Sequence, residues 1–414
     1  AGGFAAVSNP WLRSPIFAPS EAQITDLQTG KATALLHIAS YGFHEAFLNG
    51  IRLENTSVLI PSVSDLRFRV LSHTYDVTQL LANHGAAPSA LGIWAFGGWA
   101  TLDSGSDFEL NGVNVPLVMA ELRFTPQQAP IASTALLTTN ATSGWRISES
   151  SMQHLGSWQW SNYGGEHIDH GKDDETWATA AGSTAGADWS DVVNGDAVLG
   201  TRVVSPEHLE SIGVVEKIAA VSVTPCGGPA PSAPTAGACY VVKMEKLLNG
   251  WLDVAKLPAA AGANVTFQYS SDAKQTLQWN AMDTVTTSAS ATGFKNRFNW
   301  HEFQYITVTG SLNAAPLAVD FVGLRLMNKM PKVGSFTSSN DMLNKVYDGH
   351  VATNEGLTIG GMFVDCPNRE RFGYGGDSQT HIEFALATYS SSPFFAKWSR
   401  DWADAGVGNG KGGV

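Results

Sequence analysis

Thirteen residues, Asp365-Cys-Pro-Asn-Arg-Glu-Arg-Phe-Gly-Tyr-Gly-Gly-Asp377, bring three carboxylates, two guanidiniums and a phenol together between segments of helical pattern. Glycine and proline keep such a run out of regular structure, and loops held on a rigid scaffold are where catalytic groups concentrate. A pair of carboxylates can divide the work of general acid and general base, provided the acid's pKa is raised. Arg369 and Arg371 flank Glu370 and favour its ionised form. Burial or a second carboxylate has to outweigh them before Glu370 can donate a proton. By spacing alone, a structural salt-bridge cluster reads as well as a catalytic one.

Other constellations carry less. His167-Ile-Asp-His170 sets two imidazoles and a carboxylate close together, but no cysteine or third histidine adjoins them, so a solvated loop is the reading. Neither a metal nor a cofactor is expected. The terminal GNGKGG lacks the strand–turn–helix context of a phosphate loop, and there is no Gly-x-Ser-x-Gly elbow. Cys226 and Cys239 bracket a Pro/Gly/Ala-rich stretch, either as a disulfide or as two thiols, while Cys366 stands alone. A disulfide there suits an oxidising compartment. Asn55, Asn140 and Asn264 open Asn-x-Ser/Thr sequons, which point the same way, to a secreted glycoprotein.

The elements that must position these groups change character along the chain. Its 414 residues exceed what one core usually organises. Between 33 and 130, short apolar or alternating runs such as TALLHIA, FHEAFLNG and ALGIWAFGGW read as strands, with Asn49-Gly50 a hairpin turn. No helical period competes, so a β-sandwich is expected over 1–225. Residues 226–238 read as a linker loop. VTFQY, HEFQYITVTG and PLAVDFVGLRLM predict a second sandwich over 239–330, with Val265, Phe267 and Tyr269 on one face.

From 331 onward the pattern is helical. Ser339 or Asn340 caps a helix whose apolar positions are Leu343, Val346, Tyr347 and Val351. HIEFALATY and PFFAKWSRDWADA follow as two more, with Pro393 in a first turn and GVGNGKGGV as a closing loop. Three helices cannot bury Phe394, Phe395, Trp398 and Trp402 among themselves. A second polypeptide segment is therefore expected to complete the helical domain, which the chain leaves unfinished. A net charge of −12 argues against nucleic acid and anionic membranes as partners, and no apolar run is long enough to span a bilayer. The chain opens at Ala1 without an initiator Met or an apolar leader, as after removal of a signal or in an internal piece. Thirteen tryptophans are many; most are expected in β-domain cores, and tryptophan faces are also what pyranose rings stack on.

The run DCPNRERFGYGGD resembles the signature of the α-L-rhamnosidase family. ASYGFHEAFLNG, RVLSHTYDVTQLL and LGIWAFGGW resemble that family's amino-terminal β-domain, in order. YGGEHID resembles its Tyr-Gly-Glu-x-x-Asp stretch, and NRFNWHEFQYITVTG followed by GSFTSSNDMLNKVY resembles its second β-domain entering the barrel. The resemblance implies a mainly β chain: two β-sandwich domains, then the first helices of an incomplete (α/α)₆ toroid over 331–414. It implies an inverting glycoside hydrolase acting on rhamnose-containing carbohydrate, which needs an acid and a base about 6.5–9.5 Å apart.

By motif position Glu370 corresponds to the general acid. Asp365 and Arg369 correspond to contacts of the sugar hydroxyls and Tyr374 to an aromatic beside the ring; Arg371 and Asp377 complete the binding candidates. The family's base lies downstream of residue 414. Many members have Arg-Asp-Glu-Arg where this chain has Arg369-Glu370-Arg371, one residue shorter, which bears on where Glu370 points. The Gly-Tyr-Gly-Gly-Asp form also resembles toroid lyases of rhamnosyl-glucuronate links, for which Arg371 would neutralise the uronate. A third reading is a glycan-binding or matrix protein that keeps the fold without the chemistry.

Overall fold

In the computed structural model the described residues are 9–101, 116–140, 143–156, 158, 162–186, 188–195, 202–227, 237–274 and 279–408. Alternating side chains make strands of the first half, and two sheets share them. The six-stranded sheet runs Trp189–Asp191, Arg146–Glu149, Pro10–Arg13, Leu91–Phe96, Phe43–Leu48, Ile51–Arg52. The five-stranded one runs Val203–Pro206, Arg69–Asp76, Ala32–Tyr41, Leu117–Pro126, Thr134–Thr138. Leu36, Ile38, Leu48, Ile93, Leu122 and Phe124 from the two sheets form one buried cluster, the filling of a sandwich. Asn49 and Gly50 both take positive φ, as the tight hairpin turn requires.

Two short helices accompany the strands, one ahead of the stretch 33–130 that reads as strand and one within it. α1 (Glu21–Gln28) starts at a capping box between Ser20 and Gln23, and α2 (Thr78–His84) follows the strand ending at Asp76. At eight and seven residues they are too short for a helical period to stand out.

The second β unit is a nine-stranded sheet. Along its path lie Met152–Leu155, Gly165–Asp169, Met282–Thr286, Asn264–Ser270, His301–Gly310, Ala238–Val254, Ile212–Pro225 and Phe321–Asn328, with Phe294–Lys295 beside the long strand. That 17-residue strand pairs with Ile212–Pro225 through its first part and, beyond a register shift, with Phe321–Asn328 through its last. Val265, Phe267 and Tyr269 are at most 1% exposed. The stretch read as a linker joins two antiparallel neighbours of this one sheet, and strands from before it belong to the same sheet. Hydrogen bonding across the hairpin, which composition does not reveal, is the reason. Cys226 and Cys239 form a disulfide at the hairpin's end; residues 228–236 lie outside the described residues.

Three helices follow: α3 (Asp341–Leu357), α4 (Gly375–Thr388) and α5 (Ser392–Gly408). Asn340 caps α3, its Oδ1 accepting from the Met342 amide at 2.9 Å. Of the apolar positions expected to face a core, Leu343 and Val346 are 49% and 50% exposed, while Tyr347 and Val351 are half-buried and Tyr347 packs on Phe384; Met342, beside them, is 65% exposed. α3 packs on the strand Phe321–Asn328, and Asn354, near its carboxyl end, is the buried residue. The bare tryptophan face expected on the last helix is also corrected. Trp398 is 4% exposed and packs on Phe363 and Phe394, with Trp402 half-buried beside it. Glycines make that burial fit, since a Cβ at Gly373 or Gly375 would strike Trp398 or Trp402. The expected closing loop is helical through Gly408, while 409–414 lie outside the described residues.

Candidate active site

The chemistry-bearing run is a short loop between the two-stranded ribbon Thr358–Ile359/Met362–Phe363 and α4. Asp365 closes its base. The Asp365 amide donates to the Phe372 carbonyl at 2.8 Å, and its Oδ1 accepts from the Phe372 amide at 3.0 Å. Inside that clamp the Arg371 amide donates to the Cys366 carbonyl at 3.1 Å and the Glu370 amide to Cys366 Sγ at 3.2 Å. The Cys366 thiol donates to Asp365 Oδ2, and Cys366 is a free cysteine.

Asp365, Arg369, Glu370 and Tyr374 converge. Arg369 forms an ion pair with Glu370 Oε1, and the Tyr374 hydroxyl donates to Oε2 at 2.9 Å. Asp365 hydrogen-bonds to Glu370 as well. Glu370 is 9% exposed while Tyr374 is 47% exposed, so the carboxylate lies under an open aromatic. The two carboxyls are driven apart. Arg369 first, then the Tyr374 and Asp365 hydrogen bonds, hold Glu370 below the ordinary glutamate value. Burial foremost, with the Glu370 contact adding to it, pushes Asp365 up. Tyr374 rises to about 12 through burial and its bond to Glu370. In this arrangement Glu370 is held as an acceptor by Arg369 and Tyr374, the reverse of what a resting general acid requires.

Arg371 does not join the group. It is 2% exposed, with Nε donating to the Pro367 carbonyl at 2.8 Å, Nη1 to Asn299 Oδ1 at 2.9 Å and Nη2 to the Trp300 carbonyl at 2.5 Å. Its guanidinium lies 4.4 Å from the Tyr163 and Trp300 ring centres and 5.4 Å from that of Trp158. A cation stacked in this way ties the loop to the β units, and Arg371 lies apart from the cluster formed by Asp365, Arg369, Glu370 and Tyr374. Its φ is positive, 59°, and its side chain turns back onto Asn299 and Trp300 of the β region. Asp377 lies in the first turn of α4, where its charge suits the helix dipole.

The sequence pattern did not mark the residues that cradle the loop. Tyr163, Asn299 and Trp300 come from the second β unit and its approaches, more than seventy residues away. Only their occurrence in YGGEHID and NRFNWHEF gave any signal. Asn299 Nδ2 donates to the Tyr163 carbonyl at 3.0 Å, and its amide donates to Glu166 Oε1 at 2.8 Å. Glu166 also accepts the amides of Arg297 and Phe298, and it is pushed up to about 7 by burial and by Asp283. Asp283 in turn bonds Tyr269, Asn296 and His301. The two histidines of His167-Ile-Asp-His170 are engaged separately, His167 with Thr284 and His170 with Asp173 and the Gly293 carbonyl. Asn55, Asn140 and Asn264 are exposed.

β-layered units lead into helices, and the loop that connects them gathers two carboxylates and an arginine. Comparison with known proteins makes this specific. Residues 30–216 match the family model described as α-L-rhamnosidase N-terminal domain, and residues 331–412 that described as bacterial α-L-rhamnosidase 6 hairpin glycosidase domain. An α-L-rhamnosidase of an Alteromonas species is 25% identical over 365 residues, covering 84% of this chain and 36% of its own length. The structure of an Aspergillus terreus α-L-rhamnosidase superposes with a TM-score of 0.80 at 19% identity, over 98% of this chain and 44% of that one. A Streptomyces avermitilis α-L-rhamnosidase complexed with L-rhamnose gives 0.77 at 22% identity, over 96% and 36%. The chain belongs to the α-L-rhamnosidase family. It spans little more than a third of the Alteromonas relative's length.

Proposed function

We propose that this chain carries the β domains and the acid-bearing loop of an inverting α-L-rhamnosidase that hydrolyses terminal α-L-rhamnosyl linkages. The observation that carries the reading is the convergence of Asp365, Arg369, Glu370 and Tyr374, with the buried Glu370 carboxylate beneath the open face of Tyr374. Tyr374 offers a face to the sugar, and Arg369, whose side chain is 45% exposed, can leave Glu370 for a sugar hydroxyl. Without its ion pair, and desolvated by the sugar beside Asp365, Glu370 gains affinity for a proton. It then protonates the glycosidic oxygen as the C1–O bond breaks. A carboxylate on the opposite face takes a proton from the attacking water, releasing β-L-rhamnose and the alcohol.

That base, and the helices that close an (α/α)₆ toroid, belong in this reading to a further segment, such as a second polypeptide. The exposed Met342, Leu343 and Val346 supply a face for it. The disulfide and exposed sequons support a secreted glycoprotein. The lyase reading loses its uronate partner, because Arg371 is caged.

In an assembly containing the base, Glu370→Gln lowers turnover of natural rhamnosides by roughly 10²–10⁴-fold. The loss is much smaller on an aryl rhamnoside, whose phenol leaves without a proton. Proton NMR before mutarotation sees the β anomer first. Equal losses on both substrates, or none, would overturn the role of Glu370. Binding without product would mean that the fold serves recognition alone.

A further inference from the structure

Glu370 owes its direction to a peptide plane. The unit joining Glu370 to Arg371 is held at both ends: its N–H donates to the Cys366 carbonyl, and its C=O accepts from the Tyr163 hydroxyl. The plane is an unfavourable one, since Arg371 sits at φ 59°, a region that residues with a Cβ avoid. Tyr163 is 1% exposed, so its hydroxyl has no water to turn to and needs a protein acceptor. The Tyr163 ring lies beneath the Arg371 guanidinium and its carbonyl accepts from Asn299, so the hydroxyl cannot drift. The chain behind it is equally confined. A Cβ at Gly164 would fall 1.4 Å from the Leu155 carbonyl oxygen, and one at Gly165 would fall 1.7 Å from that of Met282.

We propose that Tyr163 is a positioning residue for Glu370, clamping the 370–371 peptide so that the carboxylate meets Arg369, Tyr374 and Asp365. The β region is then half of the acid's mounting. Without the hydroxyl, the peptide is free to rotate and relieve Arg371, carrying the Glu370 side chain away from its partners. The inference deepens the assignment of Glu370 but concerns its placement, so both readouts below are independent of turnover.

Tyr163→Phe keeps the ring under the guanidinium and removes only the oxygen. In the 414-residue protein, alkylation of Cys366 by iodoacetamide speeds up about fivefold, the worth of one buried hydrogen bond. The Glu370 carboxyl resonance, assigned with Glu370→Gln, titrates nearer the ordinary glutamate value. Tyr75→Phe, which removes another buried hydroxyl, one that bonds His44 instead of the loop, changes neither. If Tyr163→Phe leaves both the alkylation rate and the Glu370 titration where they were, the clamp is refuted, whatever the activity of the assembly. Amide exchange in the unsubstituted protein provides a second check. The Arg371 amide exchanges as slowly as the central strands if the peptide is clamped, and exchange at the rate of open loops refutes it.

Discussion

Replacing Arg371 by Met tests whether the caged cation holds the loop to the β units. Arg371 makes three hydrogen bonds, to the Pro367 and Trp300 carbonyls and Asn299 Oδ1, inside a cage of three aromatic rings. Asn299 Oδ1 keeps a donor in the variant, because it also accepts from the Trp300 amide at 2.9 Å. The two carbonyls lose a donor, at about 1–3 kcal/mol for each buried acceptor left unsatisfied. The cation–π contacts add about 1–2 kcal/mol when desolvated. Against this, Met avoids the cost of burying a guanidinium, which pushes Arg371 down to about 9. The balance is a loss of roughly 2–5 kcal/mol, a large fraction of a typical domain's stability. Urea denaturation followed by tryptophan fluorescence measures it, since Trp158 and Trp300 line the cage. Arg371→Lys keeps a charge but cannot span three acceptors, and it falls between. A Met variant within about 0.5 kcal/mol of the parent, the range of ordinary surface substitutions, would refute that tie.

Three further outcomes follow from the packing. His44, bonded to Ser40 and Tyr75, is lowered by burial to about 3, below the unfolded value near 6.5. Its contribution is complete above pH 6.5 and is lost as pH falls, because only the unfolded chain takes the proton. Between pH 7 and pH 5 the parent therefore loses about 2 kcal/mol more than His44→Gln in urea titrations; parallel curves would contradict this. Thiol titration in guanidinium without reductant finds one free thiol per chain, Cys366, and three would remove the Cys226–Cys239 bridge. Gly164→Ala puts a methyl against the Leu155 carbonyl at a φ of 57°, so thermal denaturation registers a loss on the order of 3 kcal/mol or more.

Local periodicity was enough to read the strands around His301–Gly310 and Ala32–Tyr41, the cap at Asn340, the three helices after 331 and the loop that gathers the acids. Each depends on neighbours a few residues apart, which is the range over which pleat, helical turn and capping act. Which groups would end up buried was not legible. Trp398 disappears against Phe363, Phe394 and the bare Cα of Gly373, whereas Leu343 and Val346, with the same helical spacing, stay exposed because their helix packs by its other end. Nor could spacing distinguish Arg369 from Arg371, two residues apart and chemically identical. One, at a positive φ, turns into a cage built by Tyr163 and Trp300, and the other is left on the carboxylate. The state of Glu370 follows from that sorting. Its charge is set by which guanidinium reaches it and its direction by a hydroxyl just ahead of a strand some two hundred residues away, contacts that exist only once the β units and the loop have packed together.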